Sequence, residues 1–310
     1  MKTLRLGSRG SQLALYQARL VADRIQRTDG PSCEIVVIKT SGDRLQEAPL
    51  SDIGGKRLFV KEIEDALAAG DIDLAVHSSK DMPALLPEGL EIAAVLERED
   101  PRDVLVLPLS PESRVQSPES RPRIGTGSVR RIAQLRQRFP TAEFLNVRGN
   151  LDTRLRKLDS GDYDLLVLAA AGLRRLGFGA RISVSVSLEE CVPAPGQGII
   201  AIETRADDAA ARSAVLRIND RDASCALAAE RALVAALGGG CQMPIGGIAR
   251  PVGAGDLELH AVVTSLDGAR VIRYKKVGTQ REAAALGREV AGELLKLGAA
   301  DILSEARYHD

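Results

Sequence analysis

Apolar and polar positions in this chain alternate between two rhythms. Short apolar runs read as buried strands, and between them apolar residues recur at spacings of three and four, as on the inward face of a helix. The spacing predicts a strand over 3–7, then a helix from Ser11 to about Arg27 with Leu13, Tyr16, Leu20, Val21 and Ile25 inward. It predicts a strand over 34–40, a helix over 56–69 with Phe59, Val60, Ile63 and Leu67 inward, and a strand beginning at Leu74. Strand, helix, strand, helix, strand is the grammar of a parallel doubly wound sheet. Further strands are predicted over 90–96 and 104–107, and the segment 41–55 reads as a long polar loop, equally a flap that covers a site or a plain surface loop.

After a stretch over 108–122 rich in Pro and Ser, the pattern restarts. A strand ends in Gly125-Thr126-Gly127-Ser128, a helix covers 129–139, a strand covers 143–147, a helix carries Arg154, and a strand covers 163–170. Pro193 to Gly198 is a rigid turn before a strand over 199–203 and reads as a second crossing back to the first unit. Helices over 207–217 and 222–237 follow, the second ending at Gly238-Gly239-Gly240 and Cys241. Strands over 257–264 and 270–276 and a helix over 280–297 complete a small α+β unit. The expected division is 1–99 with 199–217, then 100–198, then 218–310.

Composition narrows the classes. The chain has 310 residues, 45% of them hydrophobic, and 42 basic residues balance 42 acidic ones. That balance, with 3% aromatics and no Trp, speaks against a nucleic-acid or membrane surface. Nine of the basic residues are Lys and the rest Arg, the side chain that grips carboxylates in a bidentate fork. Cys33, Cys191, Cys225 and Cys241 show no metal-ligand spacing, so no metal is expected. With no apolar leader or span, reduced thiols in a cytoplasmic protein are expected, and no apolar stripe marks an interface, so a monomer is expected.

Candidate chemistry collects at strand ends. The apolar run Leu74-Ala75-Val76 ends in His77-Ser78-Ser79-Lys80-Asp81-Met82-Pro83, a polar burst where open α/β sheets bind ligands. Asp81 reads equally as a cap of the next helix. Arg9 lies in a strand-to-helix turn that Ser11 would cap. Arg130 and Arg131 fall in the first turn of a helix, where cations are disfavoured unless an anion lies nearby. Arg148 and Arg175 follow two more strands, and this recurrence points to an anion-lined cleft. Cys241, alone among the cysteines, follows a glycine run that puts its sulfur at a tip.

Taken together, Arg9-Gly10-Ser11-Gln12-Leu13-Ala14, Gly54-Gly55-Lys56, His77 to Pro83, Arg98-Glu99-Asp100-Pro101-Arg102-Asp103, Gly125 to Arg131, Val147-Arg148-Gly149-Asn150, Ala171-Gly172-Leu173, Pro195-Gly196-Gln197-Gly198 and Gly239 to Gly246 strongly resemble porphobilinogen deaminase, also called hydroxymethylbilane synthase, over nearly the whole chain. The resemblance implies a fold of two doubly wound, periplasmic-binding-protein-like domains and a small C-terminal α+β domain. It implies a transferase of heme biosynthesis that joins four porphobilinogen molecules with loss of ammonia on a dipyrromethane cofactor and releases hydroxymethylbilane. By the resemblance Cys241 carries that cofactor through a thioether, and Asp81 stabilises the cation left when ammonia departs. Lys80, Thr126, Ser128, Arg130 and Arg131 are implied to hold the cofactor. Arg9, Ser11, Lys56, Phe59, Ser78, Arg148, Arg154 and Arg175 are implied to hold substrate. Each pyrrole brings two acid side chains, so six rings present about twelve carboxylates and call for many arginines. Gly127 and Gly238 depart from the family's usual small hydroxyl and acidic residues. A solute-binding protein is the competing reading, needing neither Asp81 nor Cys241; a phosphate-binding enzyme is a weaker one, since no P-loop is present.

Overall fold

The structure is a computed structural model describing residues 2–40, 60–109, 121–239 and 243–308. Strand β1 (Leu4–Ser8) buries Leu4 and Leu6 and runs parallel to β2 (Cys33–Val37) on one side, with Leu6 opposite Ile35. On its other side it runs parallel to β3 (Leu74–Ser78), with Leu6 opposite Leu74. Helix α1 (Gln12–Arg27) makes the first crossover, capped by Ser11, whose Oγ accepts the Ala14 N–H at 3.3 Å. Helix α2 (Lys61–Ala68) leads into β3, and β4 (Leu90–Val95) lies at the sheet's edge.

The second unit repeats this plan. Strands β5 (Asp103–Val106), β6 (Arg123–Gly125), β7 (Glu143–Leu145), β8 (Leu165–Ala169) and β9 (Val184–Ser185) form a sheet in the order β7-β6-β8-β5-β9. Helices α3 (Val129–Leu135), α4 (Leu151–Asp159) and α5 (Ala170–Arg175) connect them. One ionic motif occurs in both units. Arg5 of β1 donates its backbone N–H and its guanidinium to Asp73 and caps the Gly70 carbonyl; Arg123 of β6 does the same with Asp164 and Gly161.

Neither sheet is wholly parallel as the rhythm of the sequence predicts. Strand β10 (Ile200–Arg205) returns from the second unit and inserts between β3 and β4, antiparallel to both. Strand β5, the first after the outward crossing, is likewise antiparallel to β8. The reason is connectivity: a strand that enters a sheet from its neighbour has no crossover helix to reverse its direction. The two crossings lie side by side, and Glu99 N–H donates to the Gly198 carbonyl at 3.1 Å. Gly198 takes φ +89°, and a Cβ there would stand 2.2 Å from the Glu99 oxygen, so only glycine lets the strands approach this closely.

Helices α6 (Ala209–Leu216) and α7 (Arg221–Ala236) follow. The third unit is an antiparallel sheet of β11 (Ile245–Val252), β12 (Asp256–Thr264) and β13 (Val271–Thr279), with α7 and α8 (Ala283–Leu294) burying Leu233, Val290 and Leu294 against Leu257 and Leu259. Beyond the predicted end of the last helix, the chain bends at Gly298 and continues as α9 (Ala300–Tyr308). Strand β11 escapes prediction because its Gly246, Gly247 and Pro251 dilute the strand pattern. Glu230 of α7 ties this unit to the crossings. It is fully buried and takes both terminal nitrogens of Arg98 at 2.6 and 2.8 Å together with the N–H groups of Gly196 and Ala249.

Candidate active site

The site begins where β3 ends. A short 3-10 turn, Ser79–Asp81, follows the strand, with the Ser79 N–H on the Ile199 carbonyl at 3.0 Å and the Met82 N–H on the Ser79 carbonyl at 3.1 Å. Asp81 does not cap a helix here. It lines a small cavity of about 70 Å³ together with Arg9, Ser11, Gln17, His77 and Ser78. A larger depression beside Ala209 and Leu216 lies elsewhere, and its Arg212 and Arg217 are engaged by Glu91 and the Thr28 carbonyl.

Gln17 is the residue the sequence pattern hides. The period places Tyr16 inward, yet Tyr16 is 39% exposed and Gln17 is 2% exposed. The amide of Gln17 donates to Ser78 Oγ at 2.8 Å and can accept from it at 3.1 Å, which satisfies it within the core. A glutamine in place of an apolar residue on the inward face of α1 was the available signal.

The second unit supplies arginines. Arg148 is half-buried, and its Nε has no hydrogen-bond partner among the described residues; burial draws its guanidinium below the ordinary value. Arg154 donates Nε to the Gly149 carbonyl at 2.8 Å. Burial lowers it to about 10, Arg131 and Arg148 push the same way, and Asp81 acts against them. These effects bring Asp81 of the first unit and Arg131 and Arg148 of the second within electrostatic reach of Arg154. Arg175 donates to the Gly198 carbonyl at 2.6 Å, and burial lowers it too.

Arg130 and Arg131 have found the anion their helix position demands, and it belongs to the protein. Asp103 is fully buried; its Oδ2 takes Arg130 Nη1 at 2.7 Å and its Oδ1 takes Arg131 Nε at 2.9 Å. Burial raises its carboxyl, but the two guanidinium groups and Gln197 hold it well below the usual range. Arg130 also donates to the Val192 carbonyl at 2.7 Å, a contact that ties the helix to the segment before the returning crossing. Gln197 reaches from Asp103 at 3.0 Å to Lys80 Nζ at 3.3 Å and so joins the two halves of the cleft. Thr126 is buried, its Oγ1 accepting the Ser128 N–H at 3.3 Å, and Ser128 stands at the start of α3. Gly127 gives way to Asn146, whose Oδ1 would lie 2.8 Å from a Cβ at that position.

Lys56, Phe59 and Cys241 lie outside the described residues, as does the polar loop over 41–55. The other cysteines make poor anchors. Cys191 is buried and pushed up to about 12 by burial, with Asp103 adding to the effect, and burial raises Cys33 as well. Cys225 lies within α7.

An unpartnered guanidinium nitrogen and several arginines whose charge burial disfavours suit a ligand carrying several carboxylates. Fold and site together define an α/β protein of two doubly wound units and a small sheet-rich third unit, with buried arginines in the second. The chain belongs to the porphobilinogen deaminase family. The family profile described as porphobilinogen deaminase, dipyromethane cofactor binding domain, matches residues 4–213, and that of the C-terminal domain matches 224–296. A porphobilinogen deaminase of Syntrophobacter fumaroxidans is 46% identical over 98% of this chain and 98% of its own. One from Syntrophomonas wolfei is 46% identical over 99% of this chain and 100% of its own. Among solved structures, the periplasmic VFT2 domain of BvgS from Bordetella pertussis matches with a TM-score of 0.40 and 16% identity, over 70% of this chain and 86% of its own.

Proposed function

We propose that the protein joins four porphobilinogen molecules head to tail with loss of ammonia and releases hydroxymethylbilane by hydrolysis, a step of tetrapyrrole (heme) biosynthesis. The observation that supports this reading is Asp81 in a cavity with Arg9 and within electrostatic reach of Arg154, a carboxyl near cations suited to the acid side chains of a pyrrole. When ammonia leaves the aminomethyl group, positive charge spreads onto the pyrrole nitrogen, and a carboxylate beside that nitrogen stabilises it and can move its proton. Asp81 is assigned that role. Arg9, Ser11, Ser78, Arg148, Arg154 and Arg175, with Lys56 and Phe59, are assigned to substrate.

The dipyrromethane cofactor, when bound, supplies the pyrrole carbon to which the first substrate is joined. Cys241 is assigned as its thioether anchor, and Lys80, Thr126, Ser128, Arg130 and Arg131 as its polar surroundings. We assign domains of 1–99 with 199–217, 100–198 and 218–310, a division the two crossings support. No helix among the described residues is long and apolar enough to cross a membrane, and we assign a cytoplasmic monomer. Incubating the purified protein with porphobilinogen, then oxidising in acid and reading uroporphyrin absorbance, tests the reading. Porphyrin formation that is lost in Asp81→Asn supports it; substrate binding without turnover by the wild type refutes it in favour of a binding protein.

A further inference from the structure

On the face of the first sheet opposite α1, a polar cluster sits in apolar surroundings. Glu203 of β10 is fully buried; its Oε2 lies 3.0 Å from Nε2 of His77 on β3, and its Oε1 has no hydrogen-bond partner among the described residues. The two share a face because antiparallel pairing sets His77 opposite Ala201 and Ala75 opposite Glu203. Ala75 packs with Ile63 and Leu67 of α2, and Ala201 with Leu227 of α7. Arg231, one turn beyond Leu227, donates Nη2 to the Ala84 carbonyl at 2.9 Å. Burial lowers the Arg231 guanidinium, and Glu203 and Glu64 act against that, which places all three within electrostatic reach.

A buried carboxyl with an unpaired oxygen is a poor way to stabilise a core, which apolar residues of similar volume would fill as well. Its location suggests a different contribution. His77 lies four residues before Asp81, and Ala84 three after it. The backbone of the turn between them is bonded through the Ser79 amide on the Ile199 carbonyl and the Met82 amide on the Ser79 carbonyl. Side chains add a contact at each end, Glu203 on His77 beside the β3–β10 pairing and Arg231 on the Ala84 carbonyl.

We propose that Glu203 and Arg231 are positioning residues for Asp81, and that Arg231 makes the site turn follow α7, the helix that leads toward Cys241. The proposal rests on the role assigned to Asp81 above. Hydrogen exchange of the Ser79 and Met82 amides tests the clamp without reference to activity. In Arg231→Met and Glu203→Gln these amides should exchange about tenfold faster, with β1 and β6 unchanged. The kcat for porphobilinogen should fall about tenfold with KM within about twofold, and Arg231→Lys should recover most of it. The double variant should lose less kcat than the two single losses combined. Should Glu203→Gln fail to fold, the Arg231 pair still decides. Unchanged exchange in the turn overturns the proposal, and so does exchange faster throughout the first sheet, which marks a merely structural role. A wild type that turns over no porphobilinogen would sink the functional reading, while exchange still judges the clamp.

Discussion

Asp81 and Asp103 show how neighbours divide two carboxyl groups of one cleft. Asp103 is fully buried between Arg130 and Arg131, whereas Asp81 lines a cavity with Arg9 and lies within electrostatic reach of Arg154. Asp81→Asn should keep the fold and substrate binding and lower kcat by roughly 10²-fold or more, the scale of a positioned acid–base or charge-stabilising group. Steady-state kinetics checks this, and near-normal kcat would remove Asp81 from its role. Asp103→Asn should act differently, by leaving Arg130 and Arg131 buried without their anion. We expect a loss of about 3 kcal/mol or more in urea unfolding, because breaking one partner of a buried pair strands the other. Asp73 gives a pH signature. Its hydrogen bonds from Arg5 lower it from 3.8 to about 2, although burial opposes them. A folded-state value below the unfolded one contributes stability above about pH 4 that is lost as pH falls toward 2. Asp73→Asn should therefore lower Tm at pH 7, and the difference should vanish by about pH 2, as calorimetry across pH can show.

The same residues show what was legible beforehand. Arg148 and Arg175 follow β7 and β8 as the apolar pattern placed them, and Arg154 lies in the helix expected to carry it, because a strand's end and the helix after it are fixed by local pattern. The inward Gln17 and the Asp103 carboxylate beneath Arg130 were not legible. Each depends on a partner more than 25 residues away, Ser78 for the one and the α3 arginines for the other, and periodicity carries no information about partners.

Among elements, the rhythm of apolar residues located α1, β3, β6 and β8 to within a few residues. It did not foresee the antiparallel entries of β5 and β10, because strand direction within a sheet is a property of the connection. It also missed β11, whose glycines meet close neighbours: a Cβ at Gly246 would stand 2.7 Å from the Val192 carbonyl oxygen. The crossings are the least tolerant elements. Gly198→Ala would place a methyl 2.2 Å from the Glu99 oxygen at a positive φ and should destabilise by several kcal/mol, measured as a lower midpoint in urea. Unchanged stability would mean that the two crossings can separate at little cost.

In the whole molecule, three units meet at a few buried groups. Glu230 holds the outward crossing through Arg98, the returning crossing through the Gly196 amide and the third sheet through the Ala249 amide. Gln197 holds Lys80 to Asp103 across the cleft. The proposed function asks for two sheets that flank a lengthening polyanion, and the pairings of β5 and β10 were needed to see how the two sheets are joined. A polyanion that binds only the folded cleft also stabilises it by mass action, so Cys241→Ala should have a lower Tm than the loaded protein. The most direct test is the intact mass of the denatured protein followed by peptide mapping. An excess equal to two deaminated porphobilinogen units on the peptide containing Cys241 is the predicted result; an unmodified Cys241 in protein that nonetheless turns over porphobilinogen would contradict the account.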